Sequence, residues 1–108
     1  EQFGVPIGSF QAVKHHCADM ALGVDASRAT LWAAASALDD GAQGSRTVSA
    51  AVAYAKSAAS RVASTALQVH GGIGFTWEHD LHLFLRRIRV DEALDGSVAD
   101  HRAALVPA

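Results

Sequence analysis

The chain has 108 residues, half of them apolar, and nine Lys and Arg stand against eleven Asp and Glu for a formal net charge of -2. This length makes one domain, and the near-neutral balance excludes the basic face that nucleic-acid binding requires. A lone cysteine excludes an intrachain disulfide and no apolar run is long enough to span a bilayer, so a soluble cytoplasmic domain away from membranes is expected.

Alanine, the best helix former, is abundant, and the two prolines stand near the ends, at Pro6 and Pro107. Long helices follow from that composition. Residues 1–8 carry two glycines and a proline and read as an extended or turning lead-in. Ser9 is then a suitable N-cap for a helix running to about Asp39. Phe10, Cys17, Val24, Leu31 and Leu38 recur every seven residues along it. Val13, Met20, Ser27 and Ala34 form a second seam, offset by three. The pattern predicts a helix packed along its length in a bundle or coiled coil, with Cys17 as a small buried apolar group.

Asp39, Asp40, Gly41 and Gly44 interrupt the pattern, and Gly41 suits a left-handed C-cap. A second helix is predicted from Ser45 or Thr47 to near His70, where Gly71 and Gly72 stop it. Its seams are Val48, Ala55, Val62 and Val69, with Val52, Ala59 and Ala66 between them. Two such helices joined by a short loop make an antiparallel hairpin. After the GGIGFT loop, Trp77 and Glu78 lead into a third helix over roughly residues 78–92, with Leu81, Leu85 and Ile88 on its stripe. Asp95 and Gly96 end it, and Ser97 caps a short last helix reaching Val106. The prediction is an all-α, up-down helical bundle.

No cluster in this pattern announces chemistry. His79 and His82 sit three apart near Glu78 and Asp80, but no HExxH or CxxC spacing exists, so a polar helix start is the reading and no metal is assigned. Cys17 on the apolar seam is a poor candidate for a thiol nucleophile. Arg86, Arg87 and Arg89 read as a solvated face beside Asp91 and Glu92. The GGIG glycines follow a helix, whereas a dinucleotide loop opens one, and the carboxyl end of a helix repels phosphate. Spacing alone therefore makes them a C-cap, although amides freed in such a loop are able to grip an anion.

Three stretches together carry a resemblance. Residues 2–20, QFGVPIGSFQAVKHHCADM, resemble the opening of the C-terminal helical domain of acyl-CoA dehydrogenases. Residues 68–87, QVHGGIGFTWEHDLHLFLRR, resemble their glycine turn and following helix. Asp95-Gly96-Ser97 falls in register with the family's Glu-Gly-Thr. The resemblance spans residues 1–108 and implies a fragment of a longer subunit, with the first helix of the bundle missing. It also implies FAD as cofactor, an acyl-CoA substrate oxidised at its α and β carbons, and electron-transferring flavoprotein as acceptor. A homo- or hetero-oligomer is implied as well.

Carried onto this sequence, Gln2 and Phe3 match positions touching the FAD of a neighbouring subunit, and Gln11 matches a further FAD contact. Gln68, Val69, His70, Gly71 and Gly72 match the Gln-x-x-Gly-Gly turn at the adenosine and pyrophosphate end. Ser97 matches a threonine near the flavin, while Ala99 stands where a glutamine often completes that contact. Asp95 occupies the place of the catalytic base, one methylene shorter than the family's glutamate. Three alternatives follow for it. The base is carried on another helix in some relatives, is an aspartate here in the nitroalkane oxidases, and is absent from one subunit of certain heteromeric dehydrogenases. The chain is thus expected to be either an enzyme's C-terminal domain or a non-catalytic assembly subunit. On either reading the isolated chain should associate with itself, hold no FAD and be inactive. A plainer reading also stands, in which Asp95 and Gly96 merely turn the chain into the Ser97 cap.

Overall fold

The computed structural model describes residues 1–41, 44–75 and 79–107. A 3-10 turn at Ile7–Ser9 leads into α1 (Gln11–Asp39), followed by α2 (Gly44–His70), a second 3-10 turn at Gly71–Phe75, α3 (Leu81–Ala93) and α4 (Val98–Ala103). The described residues form no strand beyond a single antiparallel bridge between Gln2 and Val5. At 1.5 Å per residue a 29-residue helix is about 43 Å long, which makes the molecule an elongated body of 56 × 26 × 24 Å. The all-α, up-down reading of the sequence holds.

Helices α1 and α2 form the expected antiparallel hairpin, and α2 is its central member, packing against α1, α3, α4 and the turn that follows it. The seam between α1 and α2 is built from small residues. The buried alanines of the two helices are Ala34, Ala51, Ala53, Ala58 and Ala63, with Ala58 only 1% exposed. Gly23 of α1 lies against Val62 of α2, where a Cβ on the glycine would stand 3.1 Å from Val62 Cγ2. Small side chains let the backbones approach this closely, and they also limit how much apolar surface the hairpin can bury.

Several local expectations are corrected. Helix α1 starts at Gln11 with Phe10 as its N-cap residue. Ser9 lies in the preceding 3-10 turn, where its Oγ donates to Pro6 O at 2.6 Å. Ser9 N also donates to Pro6 O at 3.0 Å, which closes the 3-10 turn before the helix begins. Helix α2 begins at Gly44, before Ser45 and Thr47, and α3 begins at Leu81 rather than near residue 78. Trp77 and Glu78 lie outside the described residues. Helix α4 ends at Ala103, short of Val106, in a turn where Arg46 Nη2 of α2 donates to Leu105 O at 2.9 Å.

The two seams of α1 also part company. Ala34 is buried and Val13, Met20 and Ser27 are half-buried, facing α2. The Phe10 seam is outside, with Leu31 62% and Leu38 58% exposed, and Cys17 is exposed as well. The heptad marked two stripes, and the hairpin supplies a partner for one. Both glycine stops are as expected: Gly41, which follows the Asp40 C-cap of α1, and Gly71, directly after α2, have φ of +66°.

Candidate functional site

The sequence-derived candidates fall into two groups along α2. The antiparallel register fixed by Gly23 and Val62 puts the start of α1 at the same end of the hairpin as the end of α2. Gln2, Phe3 and Gln11 therefore share that end with the Gln68–Gly72 turn. Asp95 and Ser97 belong to the other group, which is tied to α2 through Ser49 and Lys56. Lys56 and Gln68 are twelve residues apart, or about 18 Å of helix axis. The fold does not bring the two groups together.

At the first end, Gln2 N donates to Val5 O at 2.8 Å and Val5 N returns a bond to Gln2 O at 3.1 Å. Phe3 and Gly4 between them have φ of +53° and +78°, the conformation of a type I′ turn. The turn lifts Phe3 into solvent, 86% exposed, with only its edge-to-face contact to Phe10 at 6.3 Å. Gln11 is exposed and its Nε2 meets His15 Nε2 at 3.0 Å, one helical turn on.

Gln68 is exposed at the last turn of α2 and Val69 is half-buried. His70 folds back, its Nδ1 donating to Ala66 O at 2.7 Å, and its ring meets His79 edge-on at 4.8 Å. Gly71 turns the chain left-handed, and a Cβ on Gly72 would meet nothing within 4 Å. His79 helps close the loop onto α3, since Leu81 N donates to His79 Nδ1 at 3.1 Å. Among the described residues no three His, Cys, Asp or Glu side chains gather where a metal ion could sit.

At the second end, the chain leaves α3 through Leu94 and turns at Asp95 and Gly96, whose φ are +56° and +90°. Ser97 then caps α4 as expected, in a reciprocal arrangement with Asp100. Its Oγ accepts from Asp100 N at 3.0 Å, while Ser97 N and Oγ both donate to Asp100 Oδ2, at 2.9 and 2.7 Å. Those bonds hold the Asp100 carboxyl below its ordinary value, the backbone bond from Ser97 contributing most. The Ser97 hydroxyl hydrogen is thereby committed to Asp100. Arg87 and Arg89 pair with Asp91 and Glu92 at 3.0 Å, the solvated face that the charge pattern implied.

Sequence reasoning missed Lys56 and His101. Lys56 Nζ donates to Glu92 O at 3.2 Å and also to Leu94 O and Gly96 O. His101 Nε2 donates to Asp95 O at 2.7 Å, with Nδ1 3.4 Å from Ser49 Oγ. One signal was available: Lys56 stands between the buried alanines Ala53 and Ala58, and a cation so placed needs acceptors.

The comparisons with known proteins agree with this architecture. A family model described as the acyl-CoA dehydrogenase C-terminal domain matches residues 1–106. The chain belongs to the acyl-CoA dehydrogenase family, in its C-terminal domain. It is 53% identical over 89 residues to the acyl-CoA dehydrogenase FadE34 of Mycobacterium tuberculosis, covering 81% of this chain and 12% of that protein. It is 47% identical over 87 residues to the acyl-CoA dehydrogenase IpdE2 of Mycolicibacterium smegmatis, covering 80% and 26%. The caffeyl-CoA reductase-Etf complex subunit CarC of Acetobacterium woodii is 32% identical over 97 residues, covering 90% of this chain and 26% of CarC. A chain solved in work on the electron transferring flavoprotein of Acidaminococcus fermentans superposes with a TM-score of 0.92 at 30% identity, covering 97% of this domain and 28% of its own length. The dehydrogenase domain thus spans between about an eighth and just over a quarter of the proteins it matches. No helix among its described residues is long and apolar enough to cross a membrane.

Proposed function

We propose that this chain is the C-terminal helical domain of an FAD-dependent acyl-CoA dehydrogenase, with Asp95 as the base that removes the α proton of the acyl thioester. The observation that carries the reading is the placement of Asp95. It stands on a left-handed turn between α3 and α4, with its backbone carbonyl held by His101. No described residue bonds its carboxylate, which leaves both oxygens available to a substrate. In a full subunit the rest of the protein would close over this turn, and desolvation there would strengthen the carboxylate as a base.

The chain's own features fit FAD at the opposite end. Gln2, Phe3, Gln11 and Gln68 are exposed there together, and the open space over Gly72 admits a ligand close to backbone that a side chain would otherwise cover. Gln2, Phe3, Gln11 and the turn from Gln68 through Val69 and His70 to Gly71 and Gly72 would hold the outer parts of the cofactor. When bound, FAD supplies the acceptor for the hydride lost from the β carbon. Ser97 would contribute through its remaining lone pair, since its hydrogen bonds go to Asp100. The separation of the two groups along α2 accords with contacts to cofactors of different subunits. The exposed Phe10 seam of α1 supports assembly with further helices or subunits. Electron-transferring flavoprotein as acceptor is supported by the likeness to CarC, a subunit of a reductase-Etf complex, and to the chain solved in the work on the Acidaminococcus electron transferring flavoprotein.

A second reading, a non-catalytic assembly subunit of a heteromeric dehydrogenase, is favoured by one observation. Asp95 is a methylene shorter than the glutamate its position resembles, and misplacement by about an ångström can cost roughly a hundredfold in rate. One experiment decides between them. In the full-length flavoprotein, Asp95→Asn should abolish α-proton exchange with flavin content unchanged, and Asp95→Glu should preserve or raise activity. Full turnover in Asp95→Asn would put the base elsewhere.

A further inference from the structure

The segment joining α3 to α4 is exposed, so water could satisfy its carbonyls, yet protein donors take them. The Lys56 ammonium has three N–H donors, and they go to Glu92 O, Leu94 O and Gly96 O. The one carbonyl between the last two, Asp95 O, is held by His101 Nε2. A carbonyl oxygen only accepts, so this nitrogen carries the hydrogen and Nδ1 is left to face the Ser49 hydroxyl. The His101 ring also presses on the turn, since a Cβ on Gly96 would come within 3.1 Å of its Nε2.

These bonds secure a conformation the loop would not favour alone. A left-handed backbone is unfavourable for a residue with a Cβ, and Asp95 adopts one beside the left-handed Gly96. The last carbonyls of α3 also attract a cation, through the negative end of the helix dipole. A helix end needs only solvent or one cap. Three carbonyls converging on one ammonium and a fourth on an imidazole fix where the Asp95 Cα–Cβ bond points.

We propose that Lys56, seconded by His101, is the positioning residue of the Asp95 turn, holding the carboxylate in the orientation from which it takes the α proton. The role rests on the reading of Asp95 as the base. Lys56 places all three of its bonds on backbone carbonyls. It acts from α2, 39 positions before Asp95 in the sequence, by gripping the backbone on both sides of that residue.

The test uses the full-length flavoprotein and the straight-chain acyl-CoA that reduces its flavin fastest. Lys56→Met keeps the side chain's stem and removes its donors. It should speed amide hydrogen exchange across residues 94–97 and lower kcat by about tenfold or more, with KM within about twofold and flavin content unchanged. Unchanged loop exchange and rate in Lys56→Met, with Asp95→Asn still inactive, would overturn the positioning role and leave the base reading intact. Full turnover in Asp95→Asn would remove the base reading, and this role for Lys56 with it. If Lys56→Met is recovered without flavin, His101→Ala, which releases only Asp95 O, carries the same readouts. Unchanged exchange and rate there would overturn the proposal.

Discussion

The two ends of α2 shape the chain by opposite means. Near Ser49 and Lys56 the helix extends donors to a neighbouring loop, and side chains dictate the path of a backbone beyond their own element. Around Leu67 to Gly74 the path is set by what is missing. Gly71 takes a left-handed φ, and Gly74 packs so closely that a Cβ would lie 2.9 Å from His70 Cβ and 3.3 Å from Leu67 O. The first end is held by polar bonds to carbonyls and responds to the loss of a donor. The second is held by closeness and responds to the gain of a methyl.

Gly74→Ala should show this contrast most strongly. The Leu67 Cδ1 methyl can give way, but the nearest atom is His70 Cβ and another is a backbone oxygen, so the turn must move, at a cost of about 1–3 kcal/mol. Thermal unfolding followed by far-UV circular dichroism should show the midpoint fall by several degrees, and an unchanged midpoint would mean that closeness does not govern this end. Gly71→Ala should cost less, about 1 kcal/mol, because it meets open space and suffers only the left-handed backbone.

Acid sharpens the description of the other end. The Asp100 carboxyl is lowered in the folded chain, chiefly by the Ser97 bonds, so it favours the folded state at pH values above its ordinary 3.8. That contribution is lost as pH falls below 3.8 and through the lowered folded value. Ser97→Ala, by removing the hydroxyl but leaving the backbone donor, should weaken the acid dependence of α4 without abolishing it. Titration of the Asp100 carboxyl by NMR in both proteins checks this, and identical curves would contradict it. The smallest effect is expected for Gln68→Ala, within about 0.5 kcal/mol, since this exposed side chain holds nothing in the fold. A larger loss in thermal stability would show that the glycine end depends on side-chain bonds after all.

The sequence by itself determined the helices, their order and the stops between them. Alanine content, seven-residue periodicity, the glycines at 41 and 71 and the Ser97 cap are local signals, and each acts within a few residues of where it is written. It also carried the family motifs at both ends of the chain. Tertiary structure decided which α1 seam is covered, because a heptad records a period and not a partner. That is why Cys17 lies outside while Ala34 lies within. It likewise decided how the Asp95 turn is held. The bonds from Lys56 and His101 end on backbone carbonyls, which every residue has, so no side-chain pattern at the receiving end could have marked them.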